Sequence, residues 1–222
     1  MKDTQPHGFT DKSFEFLEGL AANNDRDWFN EHKPTFQEYL ETPFANLLEA
    51  LSNRLADADV TLEGSKKTMF RMNRDVRFSE DKSPYKTAVS GLLTRDGTKK
   101  EMGGIVYVHM DAGGGFAGTG WHNLQAKQLA PMRDKIVEKA EHFDDVLAAL
   151  DEAGLALDTD NSLSSMPRGY TEHEDHRHAE KIKLKSFLIR MDLPKVAWTS
   201  GDVVDRVEGL ARGAMPLLRF FA

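Results

Sequence analysis

Phe187-Leu188-Ile189-Arg190-Met191-Asp192-Leu193 decides the fold class. Phe187, Ile189, Met191 and Leu193 alternate with Ser186, Leu188, Arg190 and Asp192. A period of two marks a strand with one buried face, because successive Cβ atoms point to opposite sides. Upstream, Ile105 to Met110 reads as a continuous apolar run, which suits a central strand. Gly113-Gly114-Gly115 breaks that run, and Phe116 to Trp121 can pair back on it. The stripe of Phe187, Ile189 and Met191 is expected to share one sheet with Ile105 to Met110 and to face helices.

Moving outward, Val60 to Leu62 is a short strand candidate, and Thr68 to Asn73 alternates, with Phe70 and Met72 on one face. Ser79 to Pro84 is turn-like, Tyr85 to Thr94 can return as a strand, and Asp96-Gly97 signals a hairpin turn. This spacing predicts an antiparallel meander. Helix signals fill both flanks. Thr10 is a good N-cap, with Phe9 and Phe14 placed as a hydrophobic staple. Asp25 can cap a second helix, and Pro34 kinks it or starts another. Thr42-Pro43 reads as an N-cap followed by proline at the first helical position, ahead of Phe44, Leu47, Leu48, Leu51 and Leu55. Later helices are expected over Leu124 to Ala140 and His142 to Ala153, with Gly154 as C-cap. Asp158 to Gly169 is polar and loop-like, and Ser200 caps a last helix bearing Val203 to Leu217. The expected architecture is a single α+β domain over residues 1–222. It has a mostly antiparallel central sheet covered by helices, a helical N-terminal third, a C-terminal helix and a flexible tail at residues 1–8.

A chain of 222 residues with 40% hydrophobic and 29% charged residues can bury a real core. It has no cysteine, which excludes disulfides and thiolate chemistry and fits a reducing cytoplasm. No signal peptide or membrane span is visible, so a cytoplasmic protein is expected. The net charge of −7 argues against general binding to nucleic acid or anionic membranes. The charge is uneven, because Lys66 to Lys100 holds ten Lys/Arg against four Asp/Glu. A basic segment in an acidic protein suggests a focused anion site; neutralisation of acidic neighbours in the fold is the plainer alternative.

Within that segment, Arg71, Arg74 and Arg77 can grip phosphate or carboxylate with planar forks. Asp75 lies between Arg74 and Arg77 and would be held ionised, as an orienter of arginine, a metal ligand or a weak base. Lys82, Tyr85 and Lys86 complete the candidate set around the rigid Ser83-Pro84 turn. The same residues also suit a structural Arg–Asp network tying a strand to its loop. A second candidate runs from Arg168-Gly169-Tyr170 to Asp175-His176, where His176 can titrate near neutral pH as acid or base. The alternative there is a solvated loop leading into a helix. His173, His176 and His178 have ligand chemistry for a transition metal, but their spacing defines no geometry, and no closed metal site is expected. No Gly-x-Ser-x-Gly or His-Glu-x-x-His motif occurs, and no cofactor is indicated.

Several of these blocks carry a resemblance. They are Asn23-Asn24 with Trp28-Phe29, the run Arg74-Asp75-Val76-Arg77-Phe78-Ser79-Glu80-Asp81-Lys82-Ser83-Pro84-Tyr85-Lys86, and Gly118 to Gly120. Arg133 with Ile136 and Pro167-Arg168-Gly169-Tyr170 through Asp175-His176 follow. The chain resembles the bacterial and fungal family called domain of unknown function 2461 from about Phe9 to the C-terminal helix. The middle block is specific and the others are weak alone. Arg177 stands where the family usually has a proline. The resemblance implies a single domain and no established activity.

Three functions follow as expectations. The first is binding of a small anionic ligand by Arg71, Arg74, Arg77 and Lys86, with Asp75 orienting and with Tyr85 and His176 completing the pocket. The second is an enzyme using His176 as acid or base with arginine charge stabilisation. The third is an adaptor docking an acidic partner or nucleic acid through the basic segment. On the first, Arg71–Lys86 and Arg168–His176 meet around one polar pocket.

Overall fold

The computed structural model describes residues 8–100 and 103–222, and within them four strands form one antiparallel sheet in chain order. These are β1 (Ala88–Leu93), β2 (Gly103–Asp111), β3 (Gly114–Trp121) and β4 (Phe187–Asp192). The expected tail at residues 1–8 lies outside the described residues except for Gly8. The two stripes do share a sheet, with β3 between them.

The register sorts the side chains into two faces. Val106, Val108 and Met110 of β2 are fully buried, in line with Val89 and Leu93 of β1, Ala117 of β3, and Phe187 and Ile189 of β4. Three helices pack on this face: α4 (Thr42–Arg54), α8 (Lys195–Thr199) and α9 (Val203–Gly213). The approach is close. A Cβ on Gly91 would stand 2.6 Å from Leu48 Cδ1 and 3.1 Å from the Phe44 ring. The other face carries Ser90, Tyr107, His109, Phe116 and Arg190, joined by the pairs Ser90↔His109, His109↔Phe116, Tyr107↔Gly118 and Gly118↔Arg190. Ile105 to Met110 is therefore not buried on both faces; burial alternates along β2.

The N-terminal third is helical, with α1 (Asp11–Ala22), α2 (Arg26–Glu31) and α3 (Lys33–Phe36) preceding α4. Asp25 caps α2 by accepting from the Trp28 N–H at 2.9 Å. Pro34 stands in the first turn of α3, where its missing N–H costs nothing. Thr42 is not an N-cap. It has helical backbone, and a π turn over Gln37–Glu41 joins α3 directly to α4. Pro43 cannot donate to the carbonyl four residues back, and the Tyr39 carbonyl accepts from the Ser13 hydroxyl at 2.7 Å instead.

Neither Val60 to Leu62 nor Thr68 to Asn73 forms a strand. The chain from residue 63 to 73 runs along the outer edge of β1 and touches it at single bridges, Glu63↔Thr94 and Met69↔Gly91. A 3-10 turn at Lys66–Thr68 intervenes, fixed by the Ser65 N–H donating to Thr68 Oγ1 at 3.0 Å. Such local side-chain bonds compete with a continuous ladder.

After the sheet come α5 (Ala126–Glu138) and α6 (Ala140–Glu152), which ends in a left-handed Gly154 at φ +69°. The residues from 158 to 163 lie along the outer edge of β4, with Asp158 N–H donating to the Leu188 carbonyl at 2.7 Å and Leu163 N–H to that of Lys183 at 3.0 Å. The short α7 (Ala179–Ile182) leads into β4. Ser200 closes α8 rather than opening the last helix, which breaks at Ala214 into α9 and α10 (Met215–Phe220). One hydrophobic core runs from Phe9 to Phe220. Among the described residues no helix is long and apolar enough to cross a membrane.

Candidate functional site

A cleft of about 450 Å³ opens where the loop before β1 meets the polar face of the sheet. Its lining includes Asn24, Arg74, Asp81, Ser83, Tyr85, Lys86, Ser90, Tyr107 and His109. Backbone bonds shape the loop. Arg74 N–H donates to the Pro84 carbonyl at 2.9 Å, and Lys86 N–H to that of Met72 at 2.8 Å. The Asn24 amide then clamps it from the α1–α2 turn, donating to the Tyr85 carbonyl and accepting from the Tyr85 N–H, both at 3.0 Å. Tyr85 itself is buried, with its ring stacked 4.1 Å from that of Phe29.

The loop tip is a turn around Asp81. Its Oδ1 accepts from the Ser83 hydroxyl at 2.6 Å and the Ser83 N–H at 2.9 Å, while Arg74 pairs with Oδ2. The Ser83 hydroxyl first, and then the Arg74 guanidinium, hold the Asp81 carboxyl well below the usual carboxylate range. Asp75 and Arg77 form a bidentate pair at 2.9 and 2.7 Å, and Arg77 is about three-quarters exposed. Hydrogen bonds from Arg77 lower the Asp75 pKa. Phe78 beside them stands in solvent, at 94% exposure. Lys82 donates to the Val76 carbonyl at 3.1 Å.

Lys86 differs from these. It is half-buried, its ammonium lies 5.2 Å from the Phe70 ring centroid, and no carboxylate of the described residues pairs with it. Desolvation lowers its pKa, and the nearby Arg71 and Lys99 lower it further. Arg71 is exposed and forms no salt bridge among the described residues, while Lys99 donates to the Met69 carbonyl at 2.8 Å. Along the floor, His109 Nδ1 lies 3.1 Å from the Tyr107 hydroxyl, and Nε2 lies 3.5 Å from Asp111. Burial lowers the His109 pKa; Asp111 opposes this, and Arg190 and Lys86 add to it. Arg190 sits 4.0 Å over the Phe116 ring.

The second sequence candidate lies elsewhere. Arg168 lines a separate cleft with Arg133 and Lys185, and the two clefts have no lining residue in common. Tyr170 donates to Asp134 and the Ala130 carbonyl on α5. Its hydroxyl is pushed up to about 12, by burial first and then by Asp134. His176 Nδ1 accepts from the His178 N–H at 3.0 Å, and its pKa is lowered, by burial first and then by its neighbours His178 and His173. Buried His178 bonds to Asp144 and the Ala140 carbonyl. Among the described residues no group of three or more His, Asp or Glu converges as a metal site. The expected shared pocket is therefore not formed. The Arg74–Lys86 loop forms its cleft with Ser90 and His109 of the sheet, whereas Tyr170 bonds to α5 and His178, beside His176, to α6.

Tyr107, His109, Phe116, Arg190 and Arg133 are not marked as site residues by the sequence reading. The signal for the first two is the alternation within Ile105 to Met110, which a reading as one apolar run conceals. Arg190 already stands in the outward set of β4.

The family model described as "Conserved hypothetical protein (DUF2461)" matches residues 12–220. No curated protein and no solved structure matches the chain. The matched span takes in the Asn24 clamp, the Asp81 turn, the sheet and the helices on both flanks, so the chain belongs to this conserved family, domain of unknown function 2461.

Proposed function

We propose that this protein binds a small anionic ligand, bearing phosphate or carboxylate, in the cleft between the Arg74–Lys86 loop and the polar sheet face. A cytoplasmic setting fits a chain without cysteine. One observation carries the reading: Lys86 is a partly desolvated cation, crowded by Arg71 and Lys99, without a carboxylate partner among the described residues. Like charges held together in a partly buried place repel, and an anion between them relieves that repulsion. Ser90, Tyr107 and His109 supply hydrogen-bonding groups beside it, and the Tyr107 and Phe70 rings offer flat apolar surface. Asp75 and Arg77 stand outside this cleft and are not needed by the reading. An adaptor role for the basic segment gains less support, since Arg74 and Arg77 already hold Asp81 and Asp75.

A second reading, acid–base chemistry on the bound anion, rests on Tyr107 and His109 in the same cleft, with Asp111 beside His109. His109 then takes the role expected of His176. Thermal shift with pyrophosphate, inorganic phosphate and citrate tests the binding. A ligand that binds the folded state raises the melting temperature by mass action. Stabilisation by at least one of the three that disappears in Lys86→Met supports the proposal. Equal stabilisation of both proteins, or of neither, sinks it.

A further inference from the structure

The cleft at Arg133 is a second site of a different kind. It has a volume of about 410 Å³, lies beside the chain entering β4, and shares no lining residue with the cleft at Lys86. Arg133 projects from α5 and is only 3% exposed. Its Nε donates to the Ile182 carbonyl at 2.7 Å and its Nη2 to the Leu184 carbonyl at 3.1 Å. These bonds hold the guanidinium flat against the chain entering β4. Among the described residues Nη1 has no acceptor and no carboxylate pairs with the group. The nearest carboxylate by sequence, Asp134, is engaged by the Tyr170 hydroxyl, and the Tyr170 ring lies 5.9 Å from the guanidinium.

A buried charge is ordinarily compensated, because removing it from water is costly. Two carbonyl dipoles compensate Arg133 in part. Two more cations line the same cleft, Arg168 and Lys185, and neither has a carboxylate partner among the described residues. Arg168 is exposed and Lys185 half-buried, so with Arg133 three cations face one cleft of a chain with net charge −7. The remaining wall is chiefly apolar, with Leu129, Leu163 and Met166. Burial lowers the Arg133 pKa, as expected of a guanidinium that lacks a counter-charge.

We infer that this cleft binds a small amphiphilic anion, with its oxyanion head on Arg133, Arg168 and Lys185 and its apolar body against Leu129, Leu163 and Met166. The geometry suits a carboxylate or a phosphate monoester head. A pre-oriented guanidinium loses little freedom on binding, and the more exposed Arg168 and Lys185 meet the head from the solvent side. This site is independent of the cleft at Lys86.

The test uses octanoate and octyl phosphate as probes, with 1-octanol and octyltrimethylammonium as controls, by calorimetry on the full chain. Saturable binding of either anion that persists in Lys86→Met supports the site, and the tighter one identifies the head it prefers. Arg133→Leu removes two backbone hydrogen bonds and can unfold the chain, so the diagnostic variants are Arg168→Ser and Lys185→Ser. Each is expected to weaken anion binding about tenfold, the size of one lost charge-assisted hydrogen bond. Lys86→Met, which disables the other anion cleft, is expected to retain saturable binding of the same anion. No saturable binding of either anion, equal binding of 1-octanol, or affinity unaltered in both serine variants overturns the inference. Loss of octyl-anion binding in Lys86→Met overturns it too, by placing the ligand in the other cleft.

Discussion

The Lys86 ammonium stands 5.2 Å from the centre of the Phe70 ring, with cations rather than carboxylates as its charged neighbours. Lys86→Met keeps the stem that packs there and removes the charge. The expected outcome is a melting temperature no lower than wild type in anion-free buffer, because the charge is disfavoured in the folded state. Phosphate or pyrophosphate affinity is expected to fall about tenfold. Calorimetry and a thermal melt read both, and a marked loss of stability would assign Lys86 a structural role instead.

Arg77→Ala is expected to change neither stability nor anion binding. Its fork is occupied by Asp75 in an exposed pair, and exposed pairs contribute little after screening. Matched unfolding curves and matched phosphate titrations check this; a weaker titration brings Arg77 back into the site.

Asn24→Ala is expected to destabilise the protein by about 1–3 kcal/mol, since it removes two hydrogen bonds to Tyr85 and leaves backbone groups of a buried residue unpaired. Urea denaturation gives the figure. An unchanged midpoint would mean that water replaces the amide at no cost.

Gly91→Ala is expected to cost about 1–3 kcal/mol by overpacking, because the new methyl collides with Leu48 and Phe44 of α4. A companion Gly91→Ala, Leu48→Ala double variant relieves the collision, so its loss should be smaller than the sum of the two single losses. Additive losses would show that the contact does not limit the packing.

His109 sets a pH dependence. Its folded pKa lies below the ordinary 6.5, so the unfolded chain takes up the proton first. Its contribution to stability is complete above about 6.5 and is lost as pH falls from there to the folded value, below which it is flat. Asp111 opposes the shift, and burial, Arg190 and Lys86 produce it. The difference between wild type and His109→Gln should therefore change with pH below about 6.5 and be constant above it. A bound anion favours the imidazolium, so anion affinity should rise as pH falls through the same window. Denaturation and binding series from pH 8 to pH 5 test both signs.

Much of the fold is legible locally. Phe187 to Asp192 and Asp25 each obey a rule that acts over a few residues, and the structure follows both. Thr42-Pro43 also has a valid local reading, but the Ser13 hydroxyl supplies a donor to the carbonyl that Pro43 leaves open, and the helix continues. No short-range pattern contains that bond. The candidate site divides along the same line. Arg74, Asp81 and Lys86 are visible in one crowded segment, whereas His109 joins them only through the pairing of Ser90 with His109. The expectation that Arg168 would share their pocket fails because charge composition does not say on which edge of a sheet a loop returns.

The outer edge of β1 and the entry to the outer edge of β4 are already taken up. Residues 63 to 73 bridge β1, with Phe70 N–H donating to the Ser90 carbonyl at 2.8 Å, and residues 158 to 163 run along β4. An exposed edge recruits extended segments of other chains, and covering it with irregular backbone prevents that templating. Strand addition at these stretches is thus a poor route for another protein to join this one. It also gives this sheet protection against edge-to-edge aggregation, so that its polar-aromatic face can be left uncovered without offering neighbouring molecules a ladder to extend.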